Sequence, residues 1–226
     1  MVIGLVVAMQ HEFELIIDAL ENKKTTNICG IDFYEGKIND NYVVGAIGGI
    51  GKVNAAITTT LLINNYHPDL VINSGIAGGT IGLHTNDIVI ASELEYSDVD
   101  VEAFGYPFGQ IPGMPLKFEP DSKYKEILKN TFDSLSIQYK ENKVLTADTF
   151  RLSAKEIKNK DYLGSAVEME GASIAQTCYK LQTPFLSIRF ISDILDTDNH
   201  MEDYNFFERE AAYLSSQITI KFIKSL

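Results

Sequence analysis

The chain begins with an uninterrupted apolar run, Val2-Ile3-Gly4-Leu5-Val6-Val7-Ala8. A strand that is covered on both faces carries apolar side chains at almost every position, so this run predicts a buried strand of a parallel or mixed sheet. Phe13, Ile16, Ile17 and Leu20 then recur at the spacing of a helix. The first twenty residues therefore indicate a strand that is followed directly by a helix.

The same alternation continues along the chain. The predicted strands cover residues 42–47, 70–73, 87–92, 139–147, 165–168 and 184–192, and the predicted helices cover residues 52–65, 121–135, 171–181 and 204–223. Residues 99–120 contain three Gly and four Pro, which predicts a long ordered loop or lid. Strands that alternate with helices are typical of an α/β fold. Since no linker or repeat interrupts the pattern, we predict one domain over residues 1–226.

The composition excludes several classes of partner. The chain has 226 residues, with 19 basic and 31 acidic side chains and a formal net charge of −12. Its three arginines are Arg151, Arg189 and Arg209. Because so few cations cannot form the positive surface that a nucleic-acid backbone requires, we expect no binding to DNA or RNA.

The cysteines and the apolar runs indicate the compartment. Cys29 and Cys178 are too few for a disulfide framework or a zinc quartet, so we expect reduced thiols. We also expect no metal and no cofactor. No apolar run reaches the roughly 18–20 residues of a membrane span, and residues 2–9 lack the basic lead-in of a signal peptide. We therefore expect a cytoplasmic protein without membrane contact.

Chemically useful side chains follow the predicted strands. Ligands of open α/β sheets bind beyond the carboxyl ends of the strands, so the residues at those ends form the candidate site. These ends carry Met9 and Glu12, the glycine-rich segments 48–52 and 74–79, Phe150, Glu168 with Glu170, and Ser192 with Asp193. The set combines carboxylates, an aromatic ring and two glycine loops, without a Cys/His metal spacing or a Gly-x-Ser-x-Gly elbow.

The carboxylates are the most informative members of this set. Glu168 and Glu170 lie two apart, so in a strand both would point to one face, where two buried charges are costly unless they bind something polar. Glu12 has a second explanation, because acids are favoured in the first turn of a helix. Asp193 could equally cap a helix or pair with Arg189. The residues alone leave these alternatives open.

Segment 48–52 does not form a nucleoside-triphosphate loop. Ala46 stands at the position of the first glycine, and Val53 replaces the Ser or Thr that would bind magnesium. The backbone N–H groups of the segment can still hold a small polar ligand. Phe150 could belong to such a ligand site or to the core.

Taken together, these segments resemble the 5′-methylthioadenosine/S-adenosylhomocysteine nucleosidases of the purine nucleoside phosphorylase superfamily. The matching segments cover nearly the whole chain. They include Ala8-Met9 with Glu12, Gly49-Ile50-Gly51-Lys52-Val53, Ala103-Phe104-Gly105-Tyr106, Gln110-Ile111-Pro112-Gly113, Ala166-Val167-Glu168-Met169-Glu170 and Ile191-Ser192-Asp193. The resemblance implies a single-domain, three-layer α/β fold of the nucleoside phosphorylase type, in which helices flank a central mixed β-sheet.

The resemblance also implies a reaction, the hydrolysis of the N-glycosidic bond of 5′-methylthioadenosine and S-adenosylhomocysteine to adenine and a 5′-thioribose. Asp193 would be the general acid that protonates N7 of adenine, which requires burial to raise its pKa. Glu12 would position and activate the attacking water. Phe150 would stack on the adenine, and Glu170 together with Met169 would hold the ribose hydroxyls.

The implied binding set is larger than these residues. It consists of Met9, Ile50, Ile76, Ala77, Gly78, Phe150, Arg151, Glu168, Met169, Glu170 and Ser192. A partner subunit would close the pocket for the 5′-alkylthio group with Val101, Phe104 and Pro112. Because an apolar loop of this kind needs a partner surface, we expect a homodimer.

Two alternatives stay open from the sequence: a related phosphorylase or futalosine-type nucleosidase, and a nucleoside-binding module without activity. A phosphorylase typically clamps phosphate with Arg forks. No Arg precedes Arg151, and Lys52 is the only basic residue in the relevant loops, so water is favoured as the nucleophile. Ile76 replaces a Ser of several relatives, Arg151 occupies an aliphatic position, and segment 150–167 is short. These departures leave the preferred 5′ substituent open.

Overall fold

The computed structural model describes residues 1–197 and 200–226, and leaves out the side chains of residues 200–203 and 205–207. Nine strands and five α-helices make up the described chain. The strands are β1 (Val2–Val7), β2 (Glu21–Ile28), β3 (Ile31–Ile38), β4 (Asn41–Ile47), β5 (Leu70–Gly79), β6 (Ile88–Tyr96), β7 (Lys140–Thr146), β8 (Ala166–Glu168) and β9 (Phe185–Ile194). The helices are α1 (Glu14–Ala19), α2 (Lys52–Tyr66), α3 (Ser122–Ser134), α4 (Gly171–Leu181) and α5 (His200–Ser225).

The strands form one mixed sheet in the order β2-β3-β4-β1-β5-β8-β7-β6-β9. The central strand β1 pairs in parallel with β4 and β5. Strand β9 pairs in parallel with β5 and antiparallel with β6, so the strands from β5 to β9 close on themselves. This arrangement confirms the predicted α/β fold with a mixed sheet.

Helices cover both faces of the sheet. One buried cluster joins Ile3 and Leu5 of β1 to Phe222 of α5, and also includes residues of α1 and α3. A second cluster joins Val6 of β1 to Leu62 of α2, and also includes residues of α4. Successive side chains of β1 therefore pack into different cores, which explains why the whole run is apolar and gives the predicted three layers.

The sequence analysis missed the hairpin of β2 and β3. Strand β2 is almost entirely exposed and polar, and β3 interrupts its apolar residues with Asp32, Glu35 and Lys37. Neither segment shows a sustained alternation of apolar and polar residues that would predict a strand. Strand β2 is the edge strand and pairs with β3, which in turn pairs with β4. The predicted helix 204–223 is confirmed within a longer α5.

The prediction of a glycine loop at residues 74–79 is wrong, because this segment is the second half of β5. Likewise, β9 continues through Asp193 to Ile194, two residues beyond the predicted end at Ser192. The long loop 99–120 is confirmed, apart from a single 3-10 turn at Glu102–Phe104 and one bridge to β6. Among the described residues, no helix combines the length and the apolar character needed to cross a bilayer.

Candidate active site

A cleft with about 700 Å³ of empty space, counting the part open to solvent, lies beside the carboxyl ends of β1, β5, β8 and β9. Every predicted catalytic and binding residue of the chain itself lines this cleft: Met9, Glu12, Ile50, Ile76, Ala77, Gly78, Phe150, Arg151, Glu168, Met169, Glu170, Ser192 and Asp193. The sequence analysis missed its other lining residues: Ala8, Ser97, Leu145, Ala147, Thr149, Val167 and Tyr204.

Glu12 lies in the 3-10 turn Gln10–Glu12 that follows β1, and it is buried. Its Oε2 accepts hydrogen bonds from the N–H groups of Ala8 (3.1 Å) and Met9 (2.9 Å), and its Oε1 accepts one from Ile76 (3.0 Å). Burial raises the pKa of Glu12, and these N–H donors and the charge of Arg189 oppose the rise. The carboxylate is thus fixed in orientation, and its raised pKa makes it a better proton acceptor than an exposed glutamate.

The glycine at position 75 makes room for this carboxylate. A Cβ atom at Gly75 would lie 2.5 Å from Oε1 of Glu12, which is closer than real contacts allow. Ile76 contributes its backbone N–H to the same oxygen. Because this hydrogen bond comes from the backbone, it is kept although Ile76 stands where several relatives have a Ser.

Asp193 reaches the cleft through an irregularity in the sheet. In the pairing of β5 with β9, Ala77 lies opposite Ile191 and Gly78 lies opposite Asp193, so Ser192 is the extra residue of a bulge. Bulges of this kind re-aim side chains and are frequent beside active sites. Asp193 is 2% exposed, and its Oδ1 accepts a hydrogen bond from the Ser192 hydroxyl at 2.6 Å.

The spacing of Glu168 and Glu170 predicted that both share one face of a strand. In the structure they do not. Strand β8 ends at Glu168, and Glu170 caps the N-terminus of α4, so the backbone turns between them. Oε2 of Glu168 accepts the N–H groups of Glu170 (2.9 Å) and Gly171 (2.7 Å). Glu168 thereby fixes the start of α4 beside the cleft.

A buried arginine balances the negative charge of Glu168. Nη2 of Arg189 lies 2.8 Å from Oε2 of Glu168, and both side chains are nearly inaccessible to solvent. The same nitrogen donates to Asn73 of β5, and the hydroxyl of Thr146 donates to Glu168. Arg189 thus pairs with Glu168. These hydrogen bonds do not support the alternative that Arg189 pairs with Asp193.

Glu170 has a different environment. Its Oε1 accepts a single backbone hydrogen bond, from the N–H of Gly51 at 2.8 Å. Burial, reinforced by the negative charge of Glu168, raises the pKa of Glu170 to about 8. The raised pKa favours the protonated form of Glu170, which is able to donate as well as accept a hydrogen bond.

Two aromatic rings, those of Phe150 and Tyr204, line the same cleft as the carboxylates. Phe150 follows β7 and is 45% exposed. Its ring meets the edge of the Tyr204 ring at a centroid distance of 5.2 Å and an interplanar angle of 76°. Burial and the acids nearby, Glu208 foremost, raise the pKa of Tyr204 to about 12. The sequence pattern does not identify Tyr204 as a site residue, because the long helical pattern of α5 does not reveal which turn reaches the cleft.

The guanidinium group of Arg151 is bound to neighbouring residues of the chain. Its Nη2 donates to the carbonyl of Ser97 at 2.6 Å, and its Nη1 lies 3.4 Å from Oε2 of Glu156. The guanidinium thus fastens the segment after β7 to the segment after β6. An arginine at this normally aliphatic position is therefore compatible with a backbone contact to a bound base.

The three residues predicted to serve a partner subunit lie outside the cleft. Val101 and Phe104 lie in the loop after β6, and Pro112 lies further along it. Phe104 is 80% exposed, which is unusual for so large an apolar side chain. Among the side chains that the structure describes, no group of three or more His, Cys, Asp or Glu could hold a metal ion.

Fold and site together define a nucleoside-cleaving protein of the phosphorylase class, and residues 2–224 match the family model described as the phosphorylase superfamily. The 5′-methylthioadenosine/S-adenosylhomocysteine nucleosidase of Staphylococcus saprophyticus is 40% identical over 228 residues, with 99% of this chain and 100% of the relative covered. The 5′-methylthioadenosine/S-adenosylhomocysteine nucleosidase of Bacillus subtilis is 39% identical, with 97% of this chain and 96% of the relative covered.

Solved structures agree with these relatives. The nucleosidase from Neisseria meningitidis in complex with methylthio-immucillin-A superposes with a TM-score of 0.93 at 36% identity, covering 100% of this chain and 99% of that one. The chain described here belongs to the 5′-methylthioadenosine/S-adenosylhomocysteine nucleosidase family.

Proposed function

We propose that this protein hydrolyses the N-glycosidic bond of 5′-methylthioadenosine and S-adenosylhomocysteine, and releases adenine and the 5′-thioribose. The observation that carries the proposal is the placement of two buried carboxylates in one cleft, Glu12 in the turn after β1 and Asp193 on β9. The relatives bear the same activity in their names. Residues 1–226 act in this proposal as a single domain.

Asp193 is the general acid of the proposed reaction. The bond between N9 of adenine and C1′ of the sugar breaks with both electrons moving into the purine, so adenine is a poor leaving group unless it gains a proton. Asp193 delivers that proton to N7. Its burial and the hydrogen bond from Ser192 fix the carboxyl group for the transfer.

Glu12 handles the nucleophile. The sugar carbon becomes positively charged in an oxocarbenium-like transition state, and water adds to C1′ while Glu12 takes one of its protons. The three backbone N–H groups hold the carboxylate in place, so that little reorganisation accompanies the step. Its raised pKa makes it a stronger base than an exposed glutamate.

The remaining binding residues hold the two halves of the substrate. Glu170 and Met169 bind the ribose hydroxyls, and Phe150 stacks on the adenine, whose edge is read by the backbone at Arg151. Glu168 supports this arrangement indirectly, because its carboxylate is occupied by Arg189 and by the start of α4. Its role is thus to orient α4 and Glu170.

Water is favoured over phosphate because the cations described around the cleft are already engaged. Arg189 pairs with Glu168, and Arg151 donates to Ser97 and Glu156. Lys52 lies 2.7 Å from Asp98. A phosphate dianion would have to displace a carboxylate or a carbonyl at each of these groups.

The test is an assay of adenine release from 5′-methylthioadenosine, S-adenosylhomocysteine, adenosine and inosine, each with and without phosphate. We expect adenine and free thioribose from the two thio-nucleosides, at rates that do not depend on phosphate. A strict requirement for phosphate with a sugar 1-phosphate product would establish the phosphorylase alternative. Tight binding of adenine without turnover would establish a binding module.

We also propose a homodimer, in which Val101, Phe104 and Pro112 complete the pocket of the partner for the 5′-alkylthio group. Val53 and Ile57 lie four residues apart on α2 and are both largely exposed, as is Phe104. Exposed apolar side chains of this size are typical of a protein interface. Sedimentation velocity should show a dimer that Ile57→Asp dissociates, and a monomeric wild-type protein at micromolar concentration would contradict it.

The cytoplasm is the proposed compartment. Both Cys29 and Cys178 are free thiols, which suits a reducing environment. Fractionation of the producing cells would test this.

A further inference from the structure

Three segments at the rim of the cleft are joined by one small group of charges, Lys52, Asp98 and Asp148, which we call the rim clasp. Nζ of Lys52 lies 2.8 Å from Oδ1 and 2.7 Å from Oδ2 of Asp98, and 3.7 Å from Oδ2 of Asp148. The backbone closes the group, because the N–H of Lys52 donates to Asp148 (2.8 Å) and the N–H of Asp148 donates to Asp98 (2.8 Å).

The rim clasp connects the two walls that bind the substrate in the proposed function. Gly51, which precedes Lys52, donates its N–H to Glu170 on the sugar side. Two residues after Asp148 comes Phe150, which forms the base side. The clasp therefore spans the cleft mouth between the wall that holds the ribose and the wall that stacks on the adenine.

The surroundings of Lys52 indicate that its position is specified and not incidental. The side chains of Lys52 and Asp98 are 22% and 20% exposed. The ammonium group lies 5.5 Å from the centroid of the Tyr96 ring, within the range of a cation–π contact. Without the lysine, two carboxylates would face each other at the rim, and their repulsion would move the segments apart.

We infer that Lys52 is a positioning residue, which sets the separation between the sugar-binding and base-binding walls by holding Asp98 and Asp148 together. This inference rests on the proposed function, since it concerns how that substrate is bound. Lys52 itself does not transfer a proton or touch the reacting atoms. Because the two walls bind the substrate and the transition state alike, their separation affects KM more than kcat.

The experiment compares Lys52→Met, Lys52→Arg and Asp98→Asn with wild type in the assay of adenine release. Lys52→Met removes the charge and keeps the length of the side chain, and we expect KM for 5′-methylthioadenosine to rise about tenfold while kcat changes less than about threefold. Lys52→Arg keeps a cation that can bind both carboxylates, and we expect it to restore most of the affinity.

A matched control lies at the opposite end of β7. Lys129 on α3 is similarly exposed and also sits between two acids, 2.7 Å from Glu141 and 3.1 Å from Glu126. Lys129→Met should change the melting temperature about as much as Lys52→Met does, and it should leave KM unchanged. If Lys52→Met and Lys129→Met had the same KM and kcat, the contact of Lys52 would be only a structural ion pair. That result would overturn the inference.

A double-mutant cycle covers the case in which Lys52→Met fails to fold. If Lys52 acts through Asp98, then Asp98→Asn alone should raise KM, and adding it to Lys52→Arg should remove most of the rescue. Wild-type KM for Asp98→Asn would overturn the inference. An inactive wild-type protein would instead refute the proposed function, so the two failures are distinguishable.

Discussion

The floor and the rim of the cleft are built on different principles. On the floor, the side chains of Glu12, Glu168 and Arg189 are buried, and each makes at least one hydrogen bond to a residue of another strand. On the rim, Ile50 and Phe150 are about half exposed. The floor is complete within one chain, whereas the rim offers apolar surface that a substrate or a second copy would cover.

The difference follows from what each region packs against. The floor lies on strands whose other side chains fill the two cores, so its polar groups are fixed by the same packing that stabilises the sheet. A buried charge is tolerated there because a partner meets it, as Arg189 meets Glu168. Chemistry that depends on exact placement therefore belongs to the floor, and affinity for the substituents belongs to the rim.

The largest effect is expected for the two floor carboxylates. Asp193→Asn keeps the size of the side chain but removes the transferable proton, and Glu12→Gln removes the base. Each should lower kcat by about 10²–10⁴-fold, the usual contribution of a general acid or base. Binding of an uncharged substrate analogue, measured by calorimetry, should stay close to wild type.

Ser192→Ala is the control for the acid. It removes the hydroxyl that donates to Asp193 and leaves the carboxyl group in place. Its kcat should fall much less than that of Asp193→Asn. Near-normal turnover of Asp193→Asn would remove this residue from the mechanism and leave the floor without an acid.

A second effect concerns the pH dependence of stability, and it arises where floor and rim meet at Glu170. Burial raises the pKa of Glu170 to about 8 in the folded protein, above its ordinary value of 4.5. Between these two values the folded state keeps a proton that the unfolded state releases. The free energy of unfolding should therefore fall as the pH rises from about 5 to about 8, by at most about 5 kcal/mol.

Glu170→Gln tests this directly, because glutamine cannot lose a proton in this range. Urea unfolding of the ligand-free proteins at intervals between pH 5 and pH 8 gives both curves. The stability of wild type relative to the variant should decrease steadily across the interval. A constant difference would mean that Glu170 is ionised in the folded protein throughout.

The sequence predicted the floor better than its surroundings. Apolar runs mark β1 and β9, so Glu12 and Asp193 could be placed close to the carboxyl ends of these strands. The second half of β5 was predicted as a glycine loop, because its glycines do not show the pattern of a strand. The bulge at Ser192 could not, because it depends on the register between two strands that lie far apart in the sequence. Tyr204 and the pairing of Arg189 with Glu168 depend on the same kind of long-range placement.

The smallest effect is expected at the rim. If Phe104 of one protomer closes the pocket of its partner, Phe104→Ala should raise KM for 5′-methylthioadenosine about five- to tenfold, through the loss of part of the apolar area that covers the 5′ group. The value of kcat should hardly change, because the carboxylates of the floor are untouched. Leu163→Ala is the matched control, since Leu163 is also an exposed apolar residue but is not one of the three residues proposed to reach the pocket of the partner. An unchanged KM in a variant that remains dimeric would show that the rim needs no second copy, and that exposure of Phe104 has another cause.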